Sequence, residues 1–129
     1  MPIWTFVDYV EASGRNPFAE WLAQRVPPDA KTAINNRLLQ MAGSRSWPEK
    51  WVSGYEGYTG IFEARIPWNR VQYRPLFMYS MTVRWQIILL NGATEKGGRL
   101  VPRSAMDIAS NHRQVILLEP TRVERHRFD

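Results

Sequence analysis

The chain has 129 residues, about the length of one domain, and its composition excludes several classes of protein. With 44% apolar residues it can bury a core, so an intrinsically disordered chain is excluded. No stretch reaches the roughly 18–20 apolar residues of a membrane span, and the N-terminus lacks the pattern of a signal peptide. The lack of cysteine excludes disulfides, a thiolate nucleophile and a zinc–thiolate site, and fits a reducing cytosol.

Basic residues are concentrated in the second half of the chain. Residues 1–64 hold 6 Lys/Arg and 7 Asp/Glu, whereas residues 65–129 hold 11 Lys/Arg and 5 Asp/Glu. Most of the basic residues are arginine, whose planar group of donors binds phosphate in bidentate fashion. The distribution therefore indicates either an anionic partner, such as nucleic acid, or a solvated basic surface that has no ligand.

The start of the sequence predicts a strand and a short helix. Residues 3–7 are apolar and aromatic, as in a strand. Asn16 followed by Pro17 is a strong helix start, with Asn as the N-cap and Pro at the first helical position. The proline pair at 27–28 is predicted to end this helix. Its apolar face has spacings of three and four residues and consists of Phe18, Trp21, Leu22 and Val26.

A second helix is predicted to follow directly. Asp29 is placed to cap its N-terminus, and Gly43 is a C-terminal stop. The apolar stripe of this helix consists of Ala30, Ile34, Leu38 and Met41. Residues 44–57, rich in Trp, Ser and Gly, are predicted to form a loop.

The middle of the chain predicts a meander of three strands. Residues 60–66 alternate, so that Phe62, Ala64 and Ile66 share one face while Ile61, Glu63 and Arg65 share the other. A turn at 67–70 leads to a second strand at 71–80, in which Pro75 removes one donor from the ladder. After a turn at 81–84, residues 85–90 form a nearly continuous apolar run, typical of a strand covered on both faces.

The end of the chain predicts a loop, a helix and a tail. Residues 91–102 are polar and rich in glycine, as in a loop. Ser104 and Asp107 are spaced as a capping box that opens a last helix, which ends at Glu119. His112 lies on the apolar stripe of this helix, which indicates a packed residue rather than a catalyst.

The order of these elements, with several short motifs, resembles the RelE/ParE toxin superfamily, especially its phage-derived HigB-like branch. The motifs are Asn16-Pro17 with Glu20-Trp21-Leu22, the segment 60–65, Tyr73-Arg74, Ile88-Leu89-Leu90 with Gly92, Glu95-Lys96, Pro102, and Ile108-Ala109 with Arg113. The resemblance implies one α+β domain over residues 1–129 in the order β-α-α-β-β-β-α. Its sheet would be twisted and mainly antiparallel, with two N-terminal helices packed on one face and a C-terminal helix. Residues 117–129 have no counterpart and are predicted to form an extended basic tail.

The resemblance also implies a function. Many members of this family are toxins of type II toxin–antitoxin systems that cleave messenger RNA on the ribosome and so inhibit translation in the cytoplasm. The ribose 2′-hydroxyl attacks the adjacent phosphate, with no metal or cofactor. This chemistry requires neutralisation of the phosphate, a proton acceptor and a proton donor. The implied partners are an antitoxin protein, messenger RNA and the ribosome but no membrane, and the implied assembly is a homodimer or a toxin–antitoxin heterotetramer.

Four catalytic candidates follow from the resemblance. Arg74 matches a catalytic arginine of RelE-like nucleases and would hold the scissile phosphate from a solvent-facing position, unless it is an ordinary surface arginine. Arg65 would contact phosphate or pair with Glu63. Glu63 would be the general base or a partner of Arg65, since the lysines of RelE on this strand are replaced here by Ile61 and Glu63. Lys96 would donate a proton or bind phosphate, unless it is a flexible loop lysine.

Four further residues are predicted to bind RNA: Arg70, Arg99, Arg103 and Trp68. The second catalytic arginine of RelE would fall near Thr94, so Arg99 and Arg103 are the candidates that replace it. Trp68 lies in a predicted turn, where an exposed indole is able to stack on a base.

Two alternatives remain open from the sequence. The first is a ParE-like toxin that inhibits DNA gyrase without RNA chemistry, because one fold hosts different functions. The second is a phage-derived accessory protein that keeps the fold and has lost catalysis, which the missing lysines and second arginine favour.

Overall fold

Eight strands and three helices form over residues 2–129, the part of the chain that this computed structural model describes. In chain order they are β1 (Thr5–Tyr9), α1 (Pro17–Gln24), α2 (Pro28–Ala42), a 3-10 turn (Glu49–Trp51), β2 (Val52–Tyr55), β3 (Tyr58–Ala64), β4 (Ile66–Trp68), β5 (Val71–Tyr79), β6 (Gln86–Lys96), β7 (Arg99–Val101), α3 (Ala105–Leu118) and β8 (Val123–Arg125).

The strands form one open, mixed sheet in the order β2-β3-β5-β6-β1-β8. Two short strands extend it, since β4 pairs with the start of β5 and β7 pairs with the end of β6. The β1–β6 pairing is parallel and the other pairings are antiparallel. The predicted α+β class with a mainly antiparallel sheet is therefore confirmed.

Helix α1 begins as the sequence predicts. The side-chain oxygen of Asn16 accepts a hydrogen bond from the backbone N–H of Ala19 at 2.9 Å, and Pro17 is the first helical residue. The cap satisfies one of the N–H groups that a helix start leaves without a partner. The helix ends at Gln24, one turn before the predicted proline stop.

Helix α2 confirms the predicted apolar stripe, because all four of its residues are fully buried. Gly43 also ends the helix as predicted. The predicted cap is wrong: the helix begins at Pro28, its N-cap is Pro27, and no side chain caps it. Asp29 lies inside the first turn, where its negative charge favours the positive end of the helix dipole.

Two predicted loops contain strands. Residues 44–57 include the 3-10 turn and β2, while β6 continues to Lys96 and β7 covers Arg99–Val101, within the predicted loop at 91–102. The predicted turn at 67–70 is also tighter, because Trp68 is still in β4. Polar and glycine-rich residues favour loops locally, but these segments gain backbone hydrogen bonds from neighbouring strands.

The predicted capping box at the start of α3 does not form. Ser104 has φ −79° and ψ 2° rather than extended backbone, and its side chain makes no capping hydrogen bond. The carboxylate of Asp107 instead accepts a hydrogen bond from the hydroxyl of Tyr58 at 2.6 Å. A partner from the sheet has replaced the local partner that the spacing predicted.

The sheet separates two apolar cores. Helices α1 and α2 pack on one face with Ala64, Ile66 and Tyr73, whereas α3 packs on the other face with Ile61 and Leu76. The predicted alternation at 60–66 is therefore confirmed for its apolar members.

The C-terminal segment is part of the fold, although the sequence predicted an extended tail. Leu117 and Leu118 complete α3, and β8 pairs with β1. The next residue, His126, is buried between Asp8 and Asn35: its Nδ1 lies 2.9 Å from the Asp8 carboxylate and its Nε2 lies 2.9 Å from the Asn35 side-chain oxygen. This polar cluster fastens the end of the chain to β1 and α2.

Replacement of His126 by alanine is expected to destabilise the protein by about 1–3 kcal/mol, because Oδ1 of the buried Asp8 carboxylate would lose its hydrogen-bond partner and only Oδ2 would keep one, the Asn16 amide. Thermal or urea unfolding of the His126→Ala variant measures this loss. The control is Arg125→Ala in the exposed part of β8, expected to change stability by about 0.5 kcal/mol or less. Equal stability of both variants would contradict the role of this cluster.

Candidate active site

Charged side chains from three neighbouring strands meet on the face of the sheet that carries α3. Arg74 of β5 stands opposite Ala93, and Gln72 stands opposite Glu95 of β6. Residues directly opposite each other in an antiparallel ladder share a face, so Arg74 and Glu95 project to the same side. Glu63 of β3 reaches Arg74 from the next strand. The fold thus brings together residues that are up to 32 positions apart in sequence.

Arg74 is the centre of this charged cluster. Its Nε lies 3.5 Å from Glu63 Oε2 and its Nη2 lies 3.5 Å from Glu95 Oε2. Its Nη1 donates to the carbonyl oxygen of Tyr73 at 3.2 Å. The residue is only 5% exposed, so the expectation of a solvent-facing arginine is wrong. The guanidinium bridges two carboxylates, because a buried charge is costly unless it is paired.

Glu63 is buried beside it, at 4% exposure. Its Oε1 accepts hydrogen bonds from Arg65 Nη2 at 3.2 Å and Nε at 3.4 Å, whereas Oε2 has no hydrogen-bond partner. Burial raises the pKa of this carboxyl above its ordinary value, although the charges of Arg74 and Arg65 act in the opposite direction. Glu63 therefore takes up a proton more readily than an exposed glutamate does.

Arg65 has a backbone fixed by hydrogen bonds and a side chain that pairs with Glu63 while it stays partly exposed. It lies at the break between β3 and β4, where its N–H donates to the carbonyl of Trp51 at 2.7 Å and its own carbonyl accepts from Arg37 Nη1 at 2.8 Å. The Arg37 guanidinium also lies 4.1 Å above the Trp51 ring, and burial lowers the pKa of Arg37. The Arg65 side chain itself is 41% exposed. Of the two arginines in the cluster, Arg65 is the one that solvent or a ligand reaches.

An open cavity of about 310 Å³ lies next to the cluster. Leu100 lines it and stands opposite Glu95 in the β6–β7 ladder, which places the cavity beside the acidic end of the cluster. Two residues that the sequence predicted to bind RNA, Arg99 and Arg103, also line it. The other lining residues are Tyr55, Tyr58, Gly98 and Met106.

The remaining candidates lie elsewhere. Lys96 follows Glu95 on β6, so it projects to the opposite face of the sheet, where it lines a different cavity. Trp68 is half-buried against the core beneath α1 and α2, and Arg70 lies in the β4–β5 turn with φ 66°. The predicted catalytic set is thus divided: Glu63, Arg65 and Arg74 come together, and Lys96 does not join them.

Sequence reasoning missed two members of the site. Glu95 was part of a resembling motif but had no assigned role, although its pairing with Gln72 places it against Arg74. Arg37 holds the Arg65 carbonyl from α2, a contact for which the sequence has no local signal. The prediction that His112 is packed is consistent with its ring, which stacks on Tyr9 at 4.4 Å and whose pKa burial lowers.

Two negative findings apply to the described part of the chain. Within residues 2–129, no helix is both long enough and apolar enough to cross a membrane. Over the same residues, no three or more His, Cys, Asp or Glu side chains are grouped so that they could hold a metal ion.

Comparison of the chain with protein-family models, with curated proteins and with solved structures found no match in any of the three.

The raised pKa of Glu63 predicts a particular dependence of stability on pH. An acid whose pKa is higher in the folded state contributes stability that is complete below its unfolded pKa and is lost as the pH rises through the folded pKa. The wild-type melting temperature minus that of Glu63→Gln should therefore be largest below pH 4.5 and fall toward neutral pH. Calorimetry across this range tests the expectation.

The control for this comparison is Glu56→Gln, at an exposed glutamate. It is expected to change stability by about 0.5 kcal/mol or less. If the melting temperature of wild type minus that of Glu63→Gln grows with pH, the charges of Arg74 and Arg65 lower the pKa of Glu63 by more than burial raises it.

Proposed function

We propose that this protein is a RelE-like toxin of a type II toxin–antitoxin system that cleaves RNA and inhibits translation in the cytoplasm. The observation that carries the proposal is the meeting of Glu63, Arg65 and Arg74 in one cluster, whose Glu95 end lies beside a cavity lined by Arg99 and Arg103. A carboxyl with raised pKa, a reachable guanidinium and an arginine-lined cavity are the parts that phosphodiester cleavage by a 2′-hydroxyl requires. The arginine excess of the second half of the chain supports an anionic substrate.

In the proposed mechanism, Arg65 has two positions. Without substrate its guanidinium covers Oε1 of Glu63. When RNA binds, the exposed Arg65 side chain turns to the scissile phosphate and uncovers this oxygen. Phosphate binding and the exposure of Glu63 Oε1 are coupled, because the same guanidinium pairs with the carboxylate before RNA binds and with the phosphate afterwards.

The bond changes then follow from the positions of these groups. Oε1 of Glu63 accepts the proton of the ribose 2′-hydroxyl, and the 2′-oxygen forms a bond to phosphorus. The bond from phosphorus to the 5′-oxygen breaks, and the 5′-oxygen takes a proton from water. The hydroxide left behind takes the proton that Glu63 accepted, so the carboxylate is restored. The products are a 2′,3′-cyclic phosphate and a 5′-hydroxyl. The raised pKa of Glu63 favours this role, since a general base works best when its pKa is close to the working pH.

Arg74 is a positioning residue in this mechanism rather than a phosphate ligand. Its guanidinium is buried and already contacts Glu63 and Glu95, so it holds the carboxylate of Glu63 in place and limits the rise of its pKa. Lys96 has no part in the bond changes, because it projects to the other face of the sheet.

The second candidate function is an RNA-binding protein of the same fold without catalysis. The burial of Glu63 and Arg74 favours it, since a carboxylate that is 4% exposed reaches a ribose only after Arg65 moves. The cavity lined by Arg99 and Arg103 serves binding equally well in both cases.

Single-turnover cleavage of ribosome-bound message tests the proposal. Glu63→Gln is expected to lower the rate constant by about 10²–10⁴-fold while RNA affinity changes little, because a general base acts in the transition state. Arg65→Ala is expected to lower it by about 10²–10³-fold, with partial recovery in Arg65→Lys. The matched control is Arg45→Ala, at an exposed arginine outside the cluster.

The outcomes separate the two candidates. Cleavage by wild type with loss in the Glu63 and Arg65 variants supports the nuclease. Tight RNA binding without cleavage by wild type favours the second candidate. Undiminished cleavage by a folded Glu63→Gln variant contradicts the assigned base.

A further inference from the structure

A second cavity, of about 390 Å³, lies on the opposite face of the sheet, between α1 and the β6–β7 hairpin. Its lining residues are Trp21, Arg25, Thr94, Lys96, Val101 and Pro102. The proposed cleavage does not use it, although Lys96, one of its lining residues, was a catalytic candidate from the sequence. The cavity is therefore distinct from the proposed cleavage site.

The floor of this cavity is a fixed indole. Trp21 lies directly on Gly92 of β6, where a Cβ atom would come 2.0 Å from the indole ring, so only glycine permits this packing. The ring also meets Tyr73 edge-on, with 6.3 Å between ring centroids. Trp21 is 7% exposed and thus presents a small, rigid apolar surface. Val101, at 44% exposure, and the exposed Pro102 form an apolar wall that protein atoms leave uncovered.

Two cations stand at the edge of this apolar slot. Arg25 follows the last turn of α1 and Lys96 ends β6; both are exposed, and neither takes part in an ion pair among residues 2–129. The nearest acidic residue in sequence to Lys96 is Glu95, which projects to the other face and pairs with Arg74. Both positive charges are therefore open to a ligand.

We propose that this cavity binds one nucleotide of single-stranded RNA, with its base in the slot above Trp21 and its phosphate between Arg25 and Lys96. An apolar slot with two unpaired cations at its rim matches a flat base joined to a phosphate. The hydroxyl of Thr94 supplies a polar group inside the slot. The site makes contact with the strand beyond the cleaved phosphate, and it rests on the proposed function in taking RNA as the substrate.

In this proposal, the RNA strand passes from one site to the other around the β6–β7 turn. Glu95 and Lys96 are adjacent in sequence but project to opposite faces, and Gly97 and Gly98 follow them with φ 57° and 77°. Neither glycine carries a side chain, and both are exposed. A strand that leaves the Glu63 cluster is thus able to pass this turn and reach Trp21.

The first test uses adenosine 5′-monophosphate as the probe and follows the indole N–H signal of Trp21 by NMR, assigned with Trp21→Phe. Lys96→Gln and Arg25→Gln are each expected to weaken binding about tenfold, the effect of one lost charged hydrogen bond. Lys50→Gln is the matched control, at an exposed lysine outside the cavity, and is expected to bind as wild type does.

Two competing ligands make this test discriminating. Inorganic phosphate is expected to bind more weakly than the nucleotide, and equal affinities would overturn the proposed base slot. An acidic peptide is expected to leave the Trp21 signal unchanged at concentrations at which adenosine 5′-monophosphate saturates the cavity. If the peptide displaces the nucleotide at a concentration below that of the nucleotide, the proposal that the ligand is RNA is overturned, and the ligand is a protein.

The second test separates this proposal from the proposed cleavage. Its probe is a short RNA with 2′-O-methyl groups at every position, which binds but has no nucleophile. Lys96→Gln is expected to weaken the binding of this RNA. It is also expected to reduce the slope of log affinity against log salt concentration by the amount that about one phosphate contact contributes. Glu63→Gln is expected to change neither the affinity nor the slope. If Lys96→Gln has no effect while wild type cleaves RNA, only this inference is overturned. If wild type binds both probes but does not cleave, only the proposed nuclease activity fails.

Discussion

The pairing of β5 with β6 is the interaction on which the rest of the structure depends. The ladder runs from Gln72 opposite Glu95 to Tyr79 opposite Ile87, with one irregularity after Leu76. Its apolar half contributes Ile87, Ile88 and Leu89 to the two cores. Its polar half places Arg74 beside Glu95 on one face and Lys96 on the other. One ladder thus anchors the fold and divides the polar residues between two sites.

Burying the charged cluster costs free energy, because its charged groups are removed from water. Arg74 and Glu63 are both nearly out of contact with water, and burial raises the pKa of Glu63 despite two neighbouring arginines. Apolar residues of similar volume often replace a buried ion pair without loss of stability. Packing by itself therefore does not require these charges, which is consistent with a chemical role for the cluster.

Both proposed sites combine a fixed support with exposed cationic side chains. Hydrogen bonds to Arg37 and Trp51 hold the backbone of Arg65, and its partly exposed guanidinium is the group that moves in the proposed mechanism. Trp21 is fixed on Gly92, and the exposed residues Arg25 and Lys96 line the same cavity. A fixed scaffold with a mobile charged end limits the entropy that is lost when a phosphate binds.

The sequence by itself determined the local features: the Asn16–Pro17 start of α1, the buried stripe of α2, its end at Gly43, and the alternation that separates Ile61 from Ala64. These depend on capping groups and on side-chain periodicity, which act within a few residues. Only the tertiary structure decided the burial of Arg74, the position of Lys96, the extension of β6 through polar residues, and the burial of His126 in a supposed tail. Each of these depends on strands or helices that pair across large sequence separations, and local composition does not encode which distant partner satisfies a polar group.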